Sequence, residues 1–194
     1  MACGRDSSVL GIDPAKSALP ALTASPREGC SSGRYERTFG DIPGYPEGSC
    51  FGTRLALSQA GLHRPLVAGI SGSGRIGANS VVLAGGYEDT EDFGDEILYT
   101  GQGGRDPETG RQVAHQTLTR GNLALACNKH YGLPVRVIRG ARQQSPYAPE
   151  AGYRYDGLYS VDEYWRAVGK AGLYIWRFRL VKMAVSGCVP PSNG

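Results

Sequence analysis

Short runs of β-branched and aliphatic residues recur along the chain between glycine-rich breaks, a pattern typical of β-strands. They predict strands at residues 66–70, 80–84, 96–100, 135–139 and 157–161. A further strand is predicted at residues 173–182, where hydrophobic and charged residues alternate with a period of two. We expect its Tyr174, Trp176, Phe178 and Leu180 to face the core. We expect Arg177 and Arg179 to be solvated or to contact an anion.

Helical patterns are fewer. Residues 53–60 precede Gly61, and residues 118–130 are followed by Gly132 and Pro134, which end helices. Together with the strands, they predict an α+β fold: a twisted, partly closed sheet with two or three flanking helices. No internal repeat is present in the sequence.

The two ends of the chain lack any strand or helix period. Residues 1–34 are small, polar or proline, so we expect a disordered N-terminal arm, and residues 184–194 predict a disordered tail. The remainder, residues 35–183, is predicted to be one domain, since 194 residues of which 40% are hydrophobic suffice for one core.

Charge is distributed unevenly along the chain. The net charge is only +3, but residues 1–110 hold 9 basic and 14 acidic residues, whereas residues 111–194 hold 12 and 4. This asymmetry is compatible with an anionic partner, nucleic acid included, that touches the second half.

Five widely spaced cysteines indicate neither a zinc site nor a disulfide framework. The chain has no basic apolar leader and no run of 18 apolar residues, which argues against secretion and membrane spanning. We therefore expect an intracellular protein.

The densest candidate chemistry lies at residues 83–92 and 99–106, where two predicted strands run into glycines and an acidic loop. Glycines allow a ligand to approach the backbone, and Tyr87 and Tyr99 are placed to sandwich a flat ring. The alternative is that both tyrosines are ordinary aromatics at the core edge and that the glycines only form turns.

Six motifs, in the order found here, resemble the SRA (YDG) family of DNA-binding domains. They are Phe-Gly-Asp-Ile-Pro-Gly at 39–44, Gly-Leu-His-Arg-Pro at 61–65, Val-Ala-Gly-Ile at 67–70, Gly-Gly-Tyr-Glu-Asp at 85–89, Tyr-Thr-Gly-Gln-Gly-Gly-Arg-Asp at 99–106 and Arg-Tyr-Asp-Gly-Leu-Tyr at 154–159. The resemblance covers about residues 38–181. It implies a twisted, PUA-like β-barrel or curved sheet, whose concave side binds DNA and accepts one flipped 5-methylcytosine or related base.

The resemblance also implies which residues form the pocket for the flipped base. Tyr87 and Tyr99 would stack on the base, Ala84 would line the pocket, and backbone groups near Gly86 and Thr100 would meet the base edge.

Thr90 departs from the family pattern, in which a second aspartate after Glu-Asp accepts the cytosine amino hydrogen. A carboxylate only accepts hydrogen bonds, whereas a threonine hydroxyl is a weaker acceptor that also donates. Three alternatives stay open: Asp89 or Asp92 takes over the role, or Thr90 meets another modification such as a hydroxymethyl group.

Two loops of eukaryotic members enter the duplex. Val67 aligns with the first of these loops, a finger that enters the minor groove. On hydrophobicity alone, Val67 is at least as well explained as an ordinary strand residue. The second finger falls on Gly110, Arg111 and Gln112, so we expect no strong preference for hemimethylated CpG.

Arg75, Arg105, Arg120 and Lys129 are candidates for phosphate contacts, as are Arg111, Arg136, Arg139 and Arg142. The alternative for any one of them is a solvated charge, and for Arg105 a local ion pair with Asp106. The acidic run at 88–96 lacks calcium-loop spacing, so we expect no metal site. No motif indicates a cofactor or a catalytic set.

The leading hypothesis is therefore a monomeric, non-enzymatic domain that binds double-stranded DNA carrying 5-methylcytosine or 5-hydroxymethylcytosine. One alternative is the recognition module of a modification-dependent endonuclease, with the nuclease on another chain. Another is a DNA-binding or scaffold module that ignores base modification. A chromatin protein is a further possible partner, and the expected location is the nucleus or the bacterial nucleoid.

Overall fold

The computed structural model describes residues 38–184. They form two helices, α1 (Arg54–Gln59) and α2 (Arg120–Tyr131). Eight strands accompany them: β1 (Cys50–Phe51), β2 (Ile70–Ser73), β3 (Gly77–Leu83), β4 (Glu91–Asp92), β5 (Glu96–Thr100), β6 (Val135–Gly140), β7 (Tyr153–Val168) and β8 (Tyr174–Lys182). The predicted N-terminal arm lies outside the described residues, and so does the predicted tail apart from Ala184.

All eight strands belong to one twisted sheet with the order β2-β3-β6-β7-β8-β5-β4, and β1 pairs with β7 beside this path. Strands β3 and β6 run parallel, and every other pair is antiparallel. The sheet does not close into a barrel within the described part of the chain. This architecture confirms the predicted α+β class with a twisted sheet and two flanking helices.

Most predicted elements are confirmed, because their sequence signals are local. Strand β5 has the predicted bounds, and helix α1 begins after Thr53, whose side chain accepts a hydrogen bond from the amide of Ala56. Helix α2 ends at Gly132, whose φ of 65° lies in the left-handed region that glycine tolerates. Strand β7 is longer than predicted.

The strand predicted at residues 66–70 is wrong, because only Ile70 belongs to a strand. The other residues form an exposed loop whose carbonyl groups accept hydrogen bonds largely from side chains. Arg54 donates to the carbonyls of Leu66 and Ala68, and a nitrogen of His63 lies 2.9 Å from the Ala68 oxygen. Side chains thus make hydrogen bonds that the backbone of a neighbouring strand would make in a sheet.

The main core lies between the sheet and α2, where Leu125 packs with Val81, Val135 and Phe178. A second cluster joins α1 to the sheet through Leu57, Leu62, Val82, Ile138 and Tyr155. Burial of these side chains fixes both helices on the sheet, since each fully buried aliphatic or aromatic side chain contributes about 1.5–3 kcal/mol.

Strand β8 carries the two faces that its alternation predicts, except at its first two residues, because Ile175 is buried on the side of the arginines. Phe178 and Leu180 are fully buried and Trp176 is partly buried, whereas Tyr174 is exposed near the strand end. On the other face, Arg177 pairs with Glu91, and Arg179 pairs with Glu96 and Asp162. The protein therefore supplies the anions that these arginines contact.

Two of the basic residues considered for phosphate contacts are structural. Arg136 is fully buried and donates to the carbonyls of Thr38, Gly40 and Leu62. Arg139 is buried and pairs with Asp92 at 2.7 Å and with Asp156 at 3.1 Å. Burial removes both from contact with DNA.

Neither described helix has the length and apolar character needed to cross a membrane.

Candidate nucleic-acid interface

A cavity of about 120 Å³ opens where β3 and β5 end. This base cavity brings together five of the predicted pocket residues with the candidate finger residue and one candidate phosphate contact. They are Ala84, Gly86, Tyr87, Thr90 and Tyr99, joined by Val67 and Arg105. Its volume lies below the roughly 300–1,000 Å³ of sites for drug-sized ligands, so it suits a single flat ring.

Tyr99 forms the inner wall of the base cavity. Strand β5 holds it opposite Phe178 of β8, and its side chain is almost fully buried. A Cβ atom added to Gly69 would lie 2.9 Å from the Tyr99 hydroxyl, so glycine is what lets the ring fit here. Burial raises the pKa of Tyr99, which therefore stays protonated and able to donate a hydrogen bond.

Tyr87 forms the outer wall. It lies after the glycines that follow β3, and its hydroxyl accepts a hydrogen bond of 3.1 Å from the amide of Gly103. The guanidinium of Arg105 lies 4.7 Å from the centroid of the ring, within the range of a cation–π contact. These two contacts hold the Tyr87 ring in place.

Arg105 is held by the loop that follows β5. Its Nε donates to the carbonyl of Gly110 at 2.6 Å. Asp106, the alternative partner, instead accepts hydrogen bonds from the amides of Glu108 and Thr109. The Thr109 hydrogen bonds, with that of Glu108, lower the pKa of Asp106.

Thr90 reaches the base cavity with its hydroxyl oxygen already accepting one hydrogen bond. Its Oγ1 accepts a hydrogen bond of 3.2 Å from the amide of Thr100. The side chain of Thr100 is fully buried, and Thr100 is not among the residues that line the cavity. Thr100 therefore acts on the cavity through its backbone amide, which holds the Thr90 side chain.

The two aspartates considered as substitutes for Thr90 are both engaged elsewhere. Asp89 accepts a hydrogen bond of 2.8 Å from the amide of Lys170 and so holds the turn between β7 and β8. Asp92 binds Arg139 through both carboxylate oxygens and also accepts from the Ser145 hydroxyl. Burial alone would raise the pKa of Asp92, but Arg139 outweighs it and the pKa is lowered.

Gln143 is a cavity residue that the sequence analysis missed. It lies in the loop after β6, and its Oε1 accepts a hydrogen bond of 2.9 Å from the amide of Gly85. It is 58 residues from Gly85 in sequence. No local signal distinguishes it from Gln144 beside it.

A larger polar chamber of about 590 Å³ adjoins the base cavity and shares Gly85, Gly86, Tyr87, Thr90, Arg105 and Gln143 with it. This outer chamber is also lined by Asp89 and by the second candidate finger, Arg111 and Gln112. Gln112 donates to the carbonyls of Gly103 and Ala114, which ties this finger to the glycine loop. Arg111 is exposed.

Val67 is 93% exposed and lies at the tip of the loop formed by residues 62–69, hereafter the finger loop. His63 fixes the base of this loop: its Nδ1 lies 2.9 Å from the Ser80 hydroxyl. Burial, with the charge of Arg54, lowers the pKa of His63 to about 3, so the ring is neutral. An exposed apolar tip on a braced loop is able to enter a DNA groove.

The other candidate phosphate contacts lie outside both cavities. Arg75 and Arg120 are exposed, and Lys129 lies 3.9 Å from Asp162. Within residues 38–184, no group of three or more His, Cys, Asp or Glu side chains is arranged to hold a metal ion.

Comparison with known proteins identifies the fold. The family model described as SAD/SRA domain matches residues 38–185. E3 ubiquitin-protein ligase UHRF1 of Rattus norvegicus is 46% identical over 162 residues, which cover 73% of this chain and 21% of that protein. A UHRF1-like protein of Cryptococcus neoformans is 44% identical over 169 residues, 81% of this chain and 49% of that protein. The chain thus spans about a fifth of UHRF1 and half of the fungal relative.

Solved structures also align with most of the chain. The modification dependent TagI restriction endonuclease aligns with a TM-score of 0.76 at 50% identity, over 78% of this chain and 54% of that one. The SUVH5 SRA in complex with hemi methylated CG DNA aligns with a TM-score of 0.65 at 38% identity, over 79% of this chain and 99% of that one. Since the family model matches more than half of the sequence, the chain belongs to the SAD/SRA domain family.

Proposed function

We propose that this chain binds double-stranded DNA carrying 5-methylcytosine or 5-hydroxymethylcytosine by flipping the modified base into the base cavity. The observation that carries the proposal is the cavity itself. It has room for one ring, lies between Tyr87 and Tyr99, and has the exposed Val67 beside it.

The relatives support this ligand class. Structures of the SUVH5 SRA include complexes with fully methylated CG DNA and with fully hydroxymethylated CG DNA, at 38% and 36% identity to this chain. The domain they share with this chain is a module that recognises DNA.

The energetics of flipping agree with the wall composition. Extruding a base costs a few kcal/mol, and stacking on an aromatic ring returns about 1–3 kcal/mol. Tyr87 and Tyr99 offer two such rings. Val67 would fill the space that the base leaves. Arg105 lines both spaces and Arg111 lines the outer chamber, and both would contact phosphates.

Within this proposal the domain recognises the base and performs no chemistry on it. A second function is favoured by one comparison: TagI, at 50% identity, is a modification dependent restriction endonuclease. This chain would then be a recognition module whose nuclease lies elsewhere. The test is to incubate the purified chain with magnesium and modified plasmid. Cleavage would contradict a nuclease that lies elsewhere, because the chain would then carry its own.

The test of base flipping is Tyr87→Ala, with Tyr131→Ala as the matched control because Tyr131 lies at the exposed end of α2. Removing the stacking wall should weaken binding to a modified duplex by about 1–3 kcal/mol and leave binding to the unmodified duplex nearly unchanged. Titration of labelled duplexes at fixed salt measures both. Equal affinity of Tyr87→Ala and the unsubstituted protein for the modified duplex would refute the proposal.

A further inference from the structure

The base cavity offers a ligand hydrogen-bond donors and no carboxylate. Of the described residues that line it, none is Asp or Glu. Its polar side chains are Tyr87, Thr90, Tyr99, Arg105 and Gln143. A guanidinium group has donors only, and hydroxyl and amide groups have both donors and acceptors.

Three of these side chains each use one acceptor lone pair on a backbone amide. Thr90 Oγ1 accepts from Thr100, Tyr87 Oη accepts from Gly103, and Gln143 Oε1 accepts from Gly85. Each of these groups keeps its own hydrogen and one further lone pair for a ligand. Together with the donors of the Arg105 guanidinium, the side chains around the cavity therefore offer more hydrogens than lone pairs and favour a base with many acceptor atoms.

Cytosine presents an amino group on C4, which is a donor. Burying a donor without a hydrogen-bond partner costs the full free energy of its desolvation. A methyl group on C5 does nothing for this amino group. A carbonyl on C5, by contrast, accepts a hydrogen bond from the nearer of the two amino hydrogens within a six-membered ring, so the base satisfies one of its own two donors.

We propose that this chain prefers cytosine with a carbonyl on C5, that is 5-formylcytosine or 5-carboxylcytosine, over 5-methylcytosine, and that Thr90 determines this preference. The inference rests on base flipping as proposed above, and it adds two further modified cytosines to the proposed ligands and ranks them above 5-methylcytosine. The carbonyl oxygen also meets the donors that the cavity supplies.

The space around the cavity fits a substituent larger than methyl. The base cavity and the outer chamber share six lining residues, among them Thr90 and Gln143, so a group on the base edge has room to extend. Arg105 lines both spaces and is a cation. It suits the partial or full negative charge on the oxygens of a formyl or carboxyl group.

The experiment is a competition binding assay at fixed salt with one duplex that carries a single central cytosine, 5-methylcytosine, 5-hydroxymethylcytosine, 5-formylcytosine or 5-carboxylcytosine. The unsubstituted protein should bind the formyl and carboxyl duplexes about tenfold more tightly than the methyl duplex, which corresponds to about 1.4 kcal/mol. Thr90→Ser keeps the hydroxyl and should keep this order.

Thr90→Asp places a carboxylate where the hydroxyl lies and should reverse the order, with the carboxyl duplex weakened most by repulsion between like charges. Thr90→Asn, whose amide oxygen is a neutral acceptor, should shift the preference toward 5-methylcytosine even if the charged variant folds poorly. Thermal unfolding of each variant checks the fold.

The outcomes separate the two proposals. A preference for 5-methylcytosine over both carbonyl-bearing bases in the unsubstituted protein would overturn the inference and leave base flipping standing. An unchanged order in Thr90→Asp and Thr90→Asn would also overturn it. Equal binding of all five duplexes, together with no effect of Tyr87→Ala, would overturn the proposed function as well.

Discussion

Arg54 is expected to hold the finger loop in the shape that enters DNA. Its Nε donates to the carbonyl of Leu66 at 3.2 Å, and its Nη2 donates to the carbonyl of Ala68. These carbonyls flank Val67 on both sides. Replacing Arg54 by alanine frees the Leu66 carbonyl and leaves the Ala68 carbonyl held by His63, so the tip gains freedom and must be ordered again when DNA binds.

The size of the effect follows from that ordering. Fixing the backbone of one residue costs about 1–2 kcal/mol, so about two residues at the tip cost at least about 2 kcal/mol. This predicts a loss of about thirtyfold in affinity for a modified duplex. Arg54→Lys keeps the charge but not the planar fork that reaches both carbonyls, and should lose nearly as much.

The assay is a double-mutant cycle with Arg54→Ala, Val67→Gly and the combined variant, read as equilibrium affinity for one modified duplex. Because Arg54 is proposed to act through the tip, the combined variant should be little weaker than Val67→Gly alone. Additive losses would refute this reasoning, and an Arg54→Lys variant with unchanged affinity would show that only the charge matters.

Two further predictions concern stability. Because burial, with the charge of Arg54, lowers the pKa of His63 from 6.5 to about 3, the unfolded state binds a proton in this window that the folded state excludes. The free energy of unfolding should therefore fall by about 1.4 kcal/mol per pH unit as the pH drops from 6.5 toward 3. His63→Asn should remove this part of the pH dependence, measured by urea unfolding at several pH values. Equal pH dependence in both proteins would contradict the prediction. Asp92→Asn leaves Asp156, 3.1 Å away, as the remaining charge partner of Arg139, and should cost about 3 kcal/mol in urea unfolding. It should not alter the choice among modified bases, and a changed choice at unchanged stability would speak for Asp92 as a pocket residue.

Local sequence signals predicted the parts of the fold in which local structure and burial agree. Alternation and β-branched residues predicted β5 with its observed bounds, and Thr53 and Gly132 marked helix ends. The finger loop is the exception. Val67 lies in a run of aliphatic residues typical of a strand, but it belongs to a loop whose carbonyls are hydrogen-bonded by Arg54 and His63. The Arg54 side chain comes from α1, 12 residues before Leu66, so the run of aliphatic residues itself carries no sign of it.

The site divides in the same way. Glycines beside tyrosines at two strand ends pointed to Tyr87 and Tyr99, which the structure places in one cavity. Gln143 carries no pattern in its own segment, since it reaches the cavity only through the pairing of β3 with β6. The burial of Arg136 and Arg139 was equally hidden, because their partners lie far away in the sequence.

The hydrogen bonds around the base cavity also show why one position can control the choice of base. The amides of Gly85, Thr100 and Gly103 hold the surrounding side chains in place, and the Thr100 amide belongs to β5, which is paired with β8. A substitution at Thr90 by any residue with an acceptor oxygen keeps the bond to this amide, so the frame is preserved. Only the group presented to the base then changes, from a hydroxyl hydrogen to an acceptor. Specificity is in this sense separable from the fold at Thr90, whereas substitution of Tyr99 should disturb both, and substitution of Asp92 the fold alone.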